Sequence, residues 1–330
     1  MTEAKYWKKR DDGRIACELC PQACVIPEGG HGVCLGRVNR RGALFAENFG
    51  QCVSVAMDPI EKKPLYHVCP GRQVLSIACN GCNLRCDFCQ NWTISQTRVR
   101  TTPLPPDELV RLARESGSFG VAYTYTEPLV WYEYLLEAGA LVRGAGLKNI
   151  LVTNGVINEA PLRELLPLVD AMNIDLKSMR PSFYRDYCHC EGAEAARRTI
   201  RLAAEQCLVE VTNLIIPGLN DSDDDLRELV DFVADVGRTI PLHFSRYFPT
   251  YKMNIEPTPV ETLERARDIA REKLDYVYLG NVRADDSNTY CPNDGHLLVR
   301  RSGYSTEVVG IEDGRCACCG RVADLLWCSG

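Results

Sequence analysis

The sequence lacks any apolar run of the ~18 residues that a membrane-spanning helix needs. Its opening stretch, MTEAKYWKKRDDGR, has no apolar core of a secretory signal, so a cytoplasmic protein without a membrane partner is expected. Positive charge is not in excess. The formal net charge is -6, which gives no electrostatic reason to expect a nucleic-acid backbone as partner. No internal repeat or low-complexity tract interrupts the chain, and histidine is scarce, with five residues among 330. The remainder is of ordinary polarity, 45% apolar and 25% charged, and long enough for one large α/β domain with appendages.

Cysteine is the exception, present 18 times. With no export expected, metal ligation explains such an excess better than disulfides do. The cysteines are also clustered. Cys17, Cys20, Cys24 and Cys34 form one group, Cys79, Cys82, Cys86 and Cys89 a second, and Cys291, Cys316, Cys318, Cys319 and Cys328 a third. Cys52, Cys69, Cys188, Cys190 and Cys207 stand apart, and Cys52, Cys69 and Cys207 are expected to be small buried hydrophobes.

Three regions follow from composition. Residues 1–72 form a Cys-, Gly- and Pro-rich module with short hairpin-like strands (ALFAENF, CVSVAM), closed by the turn at Pro70 and Gly71. From 73 to 285, short apolar runs alternate with amphipathic stretches. The runs are VLSIAC, FGVAYTY, NILVT, VDAMNIDL, LVEVTNLII, PLHFSR and LDYVYLG, and several of the helices between them open with Pro, Asp or Ser and several close on Gly. Such alternation predicts a parallel sheet, here a partial (β/α)6-type barrel. Residues 286–330 form a compact tail with CPNDG and CACCG knuckles around a hairpin, HLLVRRSGYSTEVV.

The central group, CNLRCDFCQNW, follows the first predicted strand, at the end of a barrel where chemistry resides. Three thiolates, Cys82, Cys86 and Cys89, would leave one iron of a four-iron cubane open to an external ligand. With Cys79 the same residues read as a closed four-cysteine zinc site, and spacing alone leaves both open.

The CxxxCxxC spacing, with Phe88 directly before the third cysteine, resembles the radical SAM superfamily. Further segments match in order: YTYTEP (123–128), Thr153-Asn154-Gly155, Asp175-Leu176-Lys177 and VTNLIIPGLND (211–221) resemble successive strand ends of pyruvate formate-lyase activating enzymes. DPIEKKPLYHVCPG (58–71) with the Cys-rich ends is similar, over nearly the whole chain, to the radical SAM proteins of AmmeMemoRadiSam systems.

The resemblance implies a [4Fe-4S] cluster on Cys82, Cys86 and Cys89, with S-adenosylmethionine completing the open iron. It implies that Phe88 lies against the adenine and that Thr126, Glu127 and Pro128 stand where the methionine amino group binds, although the family's glycines are missing. Asn154, Asp175, Lys177 and Thr212 are implied as further contacts, and His243 as a cofactor-facing residue or, alternatively, a core one. Lys62, Lys63, Tyr66 and His67 are candidates for a lid. The implied partners are an electron donor such as flavodoxin or ferredoxin and an unidentified substrate, for which kinship with activases suggests a protein. RNA or a small metabolite is the alternative, and a zinc-binding scaffold without redox chemistry is the reading from another class.

The end modules carry their own ligand sets. Cys17, Cys20, Cys24 and Cys34 make a closed set for zinc or a second iron–sulfur cluster. The tail resembles a zinc ribbon in which Asp294 replaces a cysteine, giving Cys291, Asp294, Cys316 and Cys319, with Cys318 and Cys328 as substitutes.

Overall fold

The computed structural model describes residues 2–282 and 287–328. Eight strands form the central sheet: β1 (Ser54–Pro59), β2 (Gln73–Ala78), β3 (Gly120–Tyr123), β4 (Lys148–Thr153), β5 (Ala171–Asp175), β6 (Leu208–Ile215), β7 (Leu242–Arg246) and β8 (Val277–Gly280). Their order in space is their order in sequence. Strands β2 to β8 run parallel, each joined to the next by a helical crossover as parallel pairing requires. The seven apolar runs read from the sequence are these seven strands. The sheet is a partial barrel whose edges are β1 and β8.

The crossover helices are α1 (Pro106–Glu115), α2 (Tyr132–Gly144), α3 (Glu159–Leu165), α4 (Pro181–Tyr187), α5 (Ala193–Ala204), α6 (Asp223–Val236) and α7 (Val260–Arg271). Their ends follow local chemistry. Pro106 opens α1 with Asp107 and Glu108 in the first turn and Arg114 in the last, complementing the helix dipole. Ser222 caps α6 by accepting from Asp225 N at 3.2 Å. Helix α4, in the sequence PSFYRDY, has no clear apolar period and was not expected.

One departure concerns β1. The CVSVAM stretch, expected as a hairpin strand of the first module, pairs antiparallel along the whole length of β2, from Ser54↔Ala78 to Pro59↔Gln73. The strand therefore extends the central sheet although it precedes residue 72. The boundary expected at 285/286 lies outside the described residues.

The segment between β1 and β2 turns into the barrel. Asn173, Glu210, His243 and Tyr278 sit at inward positions on β5 to β8, and they receive it. Asn173 Nδ2 donates to Pro64 O at 2.7 Å, and the buried Glu210 carboxylate accepts from Tyr66 N (3.0 Å) and His67 N (2.7 Å). The Tyr66 ring packs on His243 and Tyr278, with centroids 4.9 and 4.7 Å apart. The tail covers the same segment: Arg301 Nη2 donates to Tyr66 O at 2.6 Å, and Cys69 is disulfide-bonded to Cys328. Both cysteines thus depart from expectation, Cys69 as a free core thiol and Cys328 as a substitute metal ligand. No helix among the described residues is long and apolar enough to cross a membrane.

Candidate cofactor site

The C-terminal ends of the parallel strands surround a cavity of about 320 Å³. Its wall contains Cys82, Cys86 and Cys89 from the loop after β2, Thr126 and Glu127 after β3, Asn154 after β4, Asp175 and Lys177 at the end of β5, and Thr212 on β6. The cysteine loop is anchored through its backbone. Arg85 N donates to Cys188 O and Asp87 N to Tyr187 O, both at 3.0 Å, which ties the loop to the end of α4. Gly81 is obligatory at the loop entry: its φ is +107°, and a Cβ there would lie 2.0 Å from the Cys34 carbonyl oxygen. Without iron, the hydrogen bond with Cys188 and burial keep the Cys86 thiol protonated, and burial does the same at Cys82. Iron loading must therefore release protons.

Opposite the cysteines stands Glu127, 1% exposed. Its carboxylate accepts from Thr153 Oγ1 (2.6 Å), Asn154 N (2.8 Å) and Leu129 N (3.0 Å). Burial raises its pKa to about 7, against the lowering effect of those three donors. The Asn154 amide donates to Asn83 Oδ1 at 2.9 Å and lies 3.6 Å from Cys82 Sγ, linking the end of β4 to the cysteine loop. Lys177 Nζ pairs with Asp175 Oδ2 at 2.6 Å. Burial opposes the lysine charge, but the Asp175 carboxylate outweighs it and Lys177 stays cationic. Thr212 Oγ1 is buried without a hydrogen-bond partner.

The Radical SAM superfamily profile matches residues 76–233, which include the whole cysteine loop and strands β3 to β6. Residues 76–233 of this chain belong to the radical SAM superfamily. The chain is 45% identical to the uncharacterized protein MJ0808 of Methanocaldococcus jannaschii, over 99% of this chain and 100% of that protein. It is 29% identical to a probable GTP 3',8-cyclase of Thermococcus kodakarensis, over 67% of this chain and 79% of the cyclase. It is also 23% identical to pyruvate formate-lyase 1-activating enzyme of Escherichia coli K12, over 58% of this chain and 86% of the activase. It is an enzyme of this superfamily, related to the activases.

For a radical SAM enzyme the donor set fits the implied cofactors. Three thiols share the wall with an orphan hydroxyl, a buried carboxylate and a lysine–aspartate pair. Phe88 lies on the same wall, its ring 5.9 Å from that of Phe183. Two expected contacts are elsewhere. Pro128 is buried at the start of a short 3-10 turn and leaves the wall to its neighbour Glu127. His243 is 3% exposed and bonds Glu210 Oε2 at 2.6 Å, one inward position below the pocket residue Ser245, so it belongs to the core network around Tyr66. Cys79 also turns away, with its sulfur 3.5 Å from Glu127 O and 3.6 Å from Thr126 Oγ1.

Of the four lid candidates, Lys62 and Lys63 reach the cavity wall and Tyr66 and His67 do not. Lys63 is 2% exposed, paired with Asp58 Oδ2 at 2.7 Å and poised 4.1 Å over the Tyr125 ring. Asp58 also accepts from Tyr125. Neither Asp58 nor Tyr125 was singled out in the sequence, although each lies within a motif that was. Cys188, behind Cys86, carried no sequence signal, because it lies about a hundred residues away and meets the loop only through tertiary packing.

In the tail, ligand atoms of Cys291, Asp294, Cys316 and Cys319 all lie within 4.8 Å of one another, as expected for that set. The Cys291 and Cys319 sulfurs are 3.6 Å apart, and Asp294 Oδ2 lies 3.7 Å from Cys316 Sγ. Cys17, Cys20, Cys24 and Cys34 together line a separate small cavity in the N-terminal module.

Proposed function

We propose that the chain holds a [4Fe-4S] cluster on Cys82, Cys86 and Cys89 and binds S-adenosylmethionine between that cluster and Glu127, Asn154, Asp175, Lys177 and Thr212. When bound, the pair would supply reductive cleavage of the S–C5′ bond and a 5′-deoxyadenosyl radical that takes hydrogen from substrate. The observation that carries this reading is the convergence of Cys82, Cys86 and Cys89 with Glu127, Asn154, Asp175, Lys177 and Thr212 on a single cavity at the strand ends. The fourth cysteine of the loop region, Cys79, is engaged with Thr126 and Glu127, which argues against a closed four-cysteine zinc site there.

The residues divide the work. Glu127, held by donors from Thr153 and Asn154, is a fixed acceptor for the methionine amino group, and Lys177 offers a positive charge to its carboxylate. Thr212 gives its free hydroxyl to the ligand, and Phe88 offers a flat apolar face to the adenine. A cavity of about 320 Å³ suits one nucleoside-sized ligand and leaves the substrate to approach from the mouth. Zinc in the tail, on Cys291, Asp294, Cys316 and Cys319, serves structure. The family suggested by DPIEKKPLYHVCPG is that of the AmmeMemoRadiSam systems.

For the substrate, the surface beside the cysteine loop suits a protein. Trp92, directly after the cavity-lining Gln90 and Asn91, stacks on Tyr251 at 5.1 Å, and the two are 37% and 38% exposed. Exposed aromatics next to a reaction site are what a protein partner would cover. A glycyl-radical enzyme is the specific form of this reading, in line with the kinship to activating enzymes of pyruvate formate-lyase. The test is anaerobic incubation with dithionite and S-adenosylmethionine. The expected product is 5′-deoxyadenosine, absent from Cys86→Ala; equal yield from that variant would overturn the assignment.

A further inference from the structure

The N-terminal cysteines differ in kind from those of the tail. Tetrahedral zinc at 2.3 Å from each sulfur holds thiolates roughly 3.8 Å apart and leaves no hole between them. The tail set meets that demand, with all ligand atoms within 4.8 Å. Among the described residues no three of Cys17, Cys20, Cys24 and Cys34 do so, and neither do Cys82, Cys86 and Cys89. The N-terminal four instead enclose a cavity of about 10 Å³ whose wall is almost entirely apolar. That is a hole of about one water-sized sphere, in a place with almost no polar surface to hold a water. A cubane, with one thiolate on each iron, has its sulfurs farther apart than a single ion does and a body that fills such a hole.

The surroundings suit an anionic cluster. Backbone N–H groups reach three of the sulfurs, from Gln22 to Cys20, from Val33 to Cys24 and from Gly36 to Cys34. The fourth, Cys17, has the buried Arg37 guanidinium 3.6 Å away. Hydrogen bonds and positive charge at the sulfurs stabilise the reduced state.

Position gives the site a task. Asn83 lines the N-terminal cavity, and its Oδ1 lies 3.9 Å from Cys82 Sγ in the other set. Gln22, on the N-terminal cavity wall, donates to Asn83 O at 2.8 Å. The Cys34 carbonyl packs directly on Gly81. One residue thus separates the two groups of cysteines, while Cys20 and Cys24 are less deeply buried than Cys17 and Cys34.

We propose that Cys17, Cys20, Cys24 and Cys34 bind a second [4Fe-4S] cluster that relays single electrons from an external protein donor, such as reduced flavodoxin, to the cluster on Cys82, Cys86 and Cys89. The step moves one electron and forms no bond: the donor is oxidised by one electron, the outer cluster passes from the 2+ to the 1+ state and back, and the inner cluster is reduced. The relay rests on the proposed function, but the occupancy of the outer site does not.

The experiment is iron and zinc analysis with electron paramagnetic resonance on anaerobically purified protein. The Cys82→Ala/Cys86→Ala/Cys89→Ala variant is expected to retain about four irons per chain and a reduced-cluster spectrum indifferent to S-adenosylmethionine. An iron-free variant carrying zinc on the N-terminal cysteines would overturn the proposal. In the complementary Cys20→Ser/Cys24→Ser variant, 5′-deoxyadenosine formation should fall at least about tenfold with reduced flavodoxin and stay within about twofold with dithionite, a small reductant able to reach the inner site. Equal loss with both reductants would overturn the relay. A wild-type protein with both clusters but no response to S-adenosylmethionine would sink the proposed function and leave the outer cluster standing.

Discussion

The Thr153 hydroxyl donates a 2.6 Å hydrogen bond to the buried carboxylate of Glu127, fixing the acid at the end of one strand with a residue from the end of the next. Burial nevertheless raises Glu127 to about 7. Between its ordinary value near 4.5 and 7 the folded chain binds more protons than the unfolded one. The group therefore stabilises the fold at low pH, and that contribution is lost as pH rises through 7. Ligand binding has the opposite sign, because the amino group of S-adenosylmethionine requires the carboxylate. From pH 6 to pH 8 affinity should rise about tenfold from this group alone. Calorimetric titration of wild type and Glu127→Gln checks it: the variant should bind more weakly at pH 8 and with a shallower pH slope.

Lys177 supplies the positive charge opposite the cluster loop, held 2.6 Å from Asp175. Its replacement in Lys177→Met removes a charge-assisted contact worth roughly 1.5–3 kcal/mol. The dissociation constant for S-adenosylmethionine should rise about 10- to 100-fold. Iron content should not change, since Lys177 is not a ligand. Loss of iron along with affinity would mean that the lysine supports the loop and not the cofactor.

The strands and the site were legible to different depths. Seven apolar runs became seven strands because a parallel sheet buried on both faces leaves little choice of residue, as the wholly buried Gly120–Tyr123 shows. The cysteine loop and the segments holding Glu127, Asn154, Asp175, Lys177 and Thr212 were legible through their resemblance to the radical SAM superfamily, since spacing alone left zinc and iron open, and the fold brings these residues to one cavity wall. His243 was not, since periodicity places it on the inward face without saying at which depth. It lies one step below the cavity, against Glu210. The pairing of β1 with β2, the disulfide between Cys69 and Cys328, and Cys188 behind Cys86 all depend on contacts distant in sequence, for which no local pattern exists.

Arg37 and Glu133 form a buried ion pair, 1% and 5% exposed, that joins the N-terminal module to α2. Glu133→Ala leaves the guanidinium buried without its partner. Such a loss costs about 3–5 kcal/mol, to be read as a lower urea midpoint with an unchanged slope. A shift below about 1 kcal/mol would mean that the two units are joined mainly by other contacts.

Asp294 occupies a cysteine's place in the tail, 3.7 Å from Cys316 Sγ. Asp294→Cys should hold zinc more tightly against a chelator, because a thiolate replaces a carboxylate, and Asp294→Ala should release it sooner. Unchanged zinc retention in Asp294→Ala would assign the fourth position to the neighbouring Cys318.

The central claim is that the cofactor itself completes the three-cysteine cluster. The most direct measurement is electron–nuclear double resonance on the reduced protein with S-adenosylmethionine labelled by 15N at its amino group. In the intact protein, a 15N coupling to the cluster is the predicted result, with none in Glu127→Ala if that variant no longer binds the ligand. A reduced four-iron cluster on Cys82, Cys86 and Cys89 that shows no coupling at saturating ligand would contradict it.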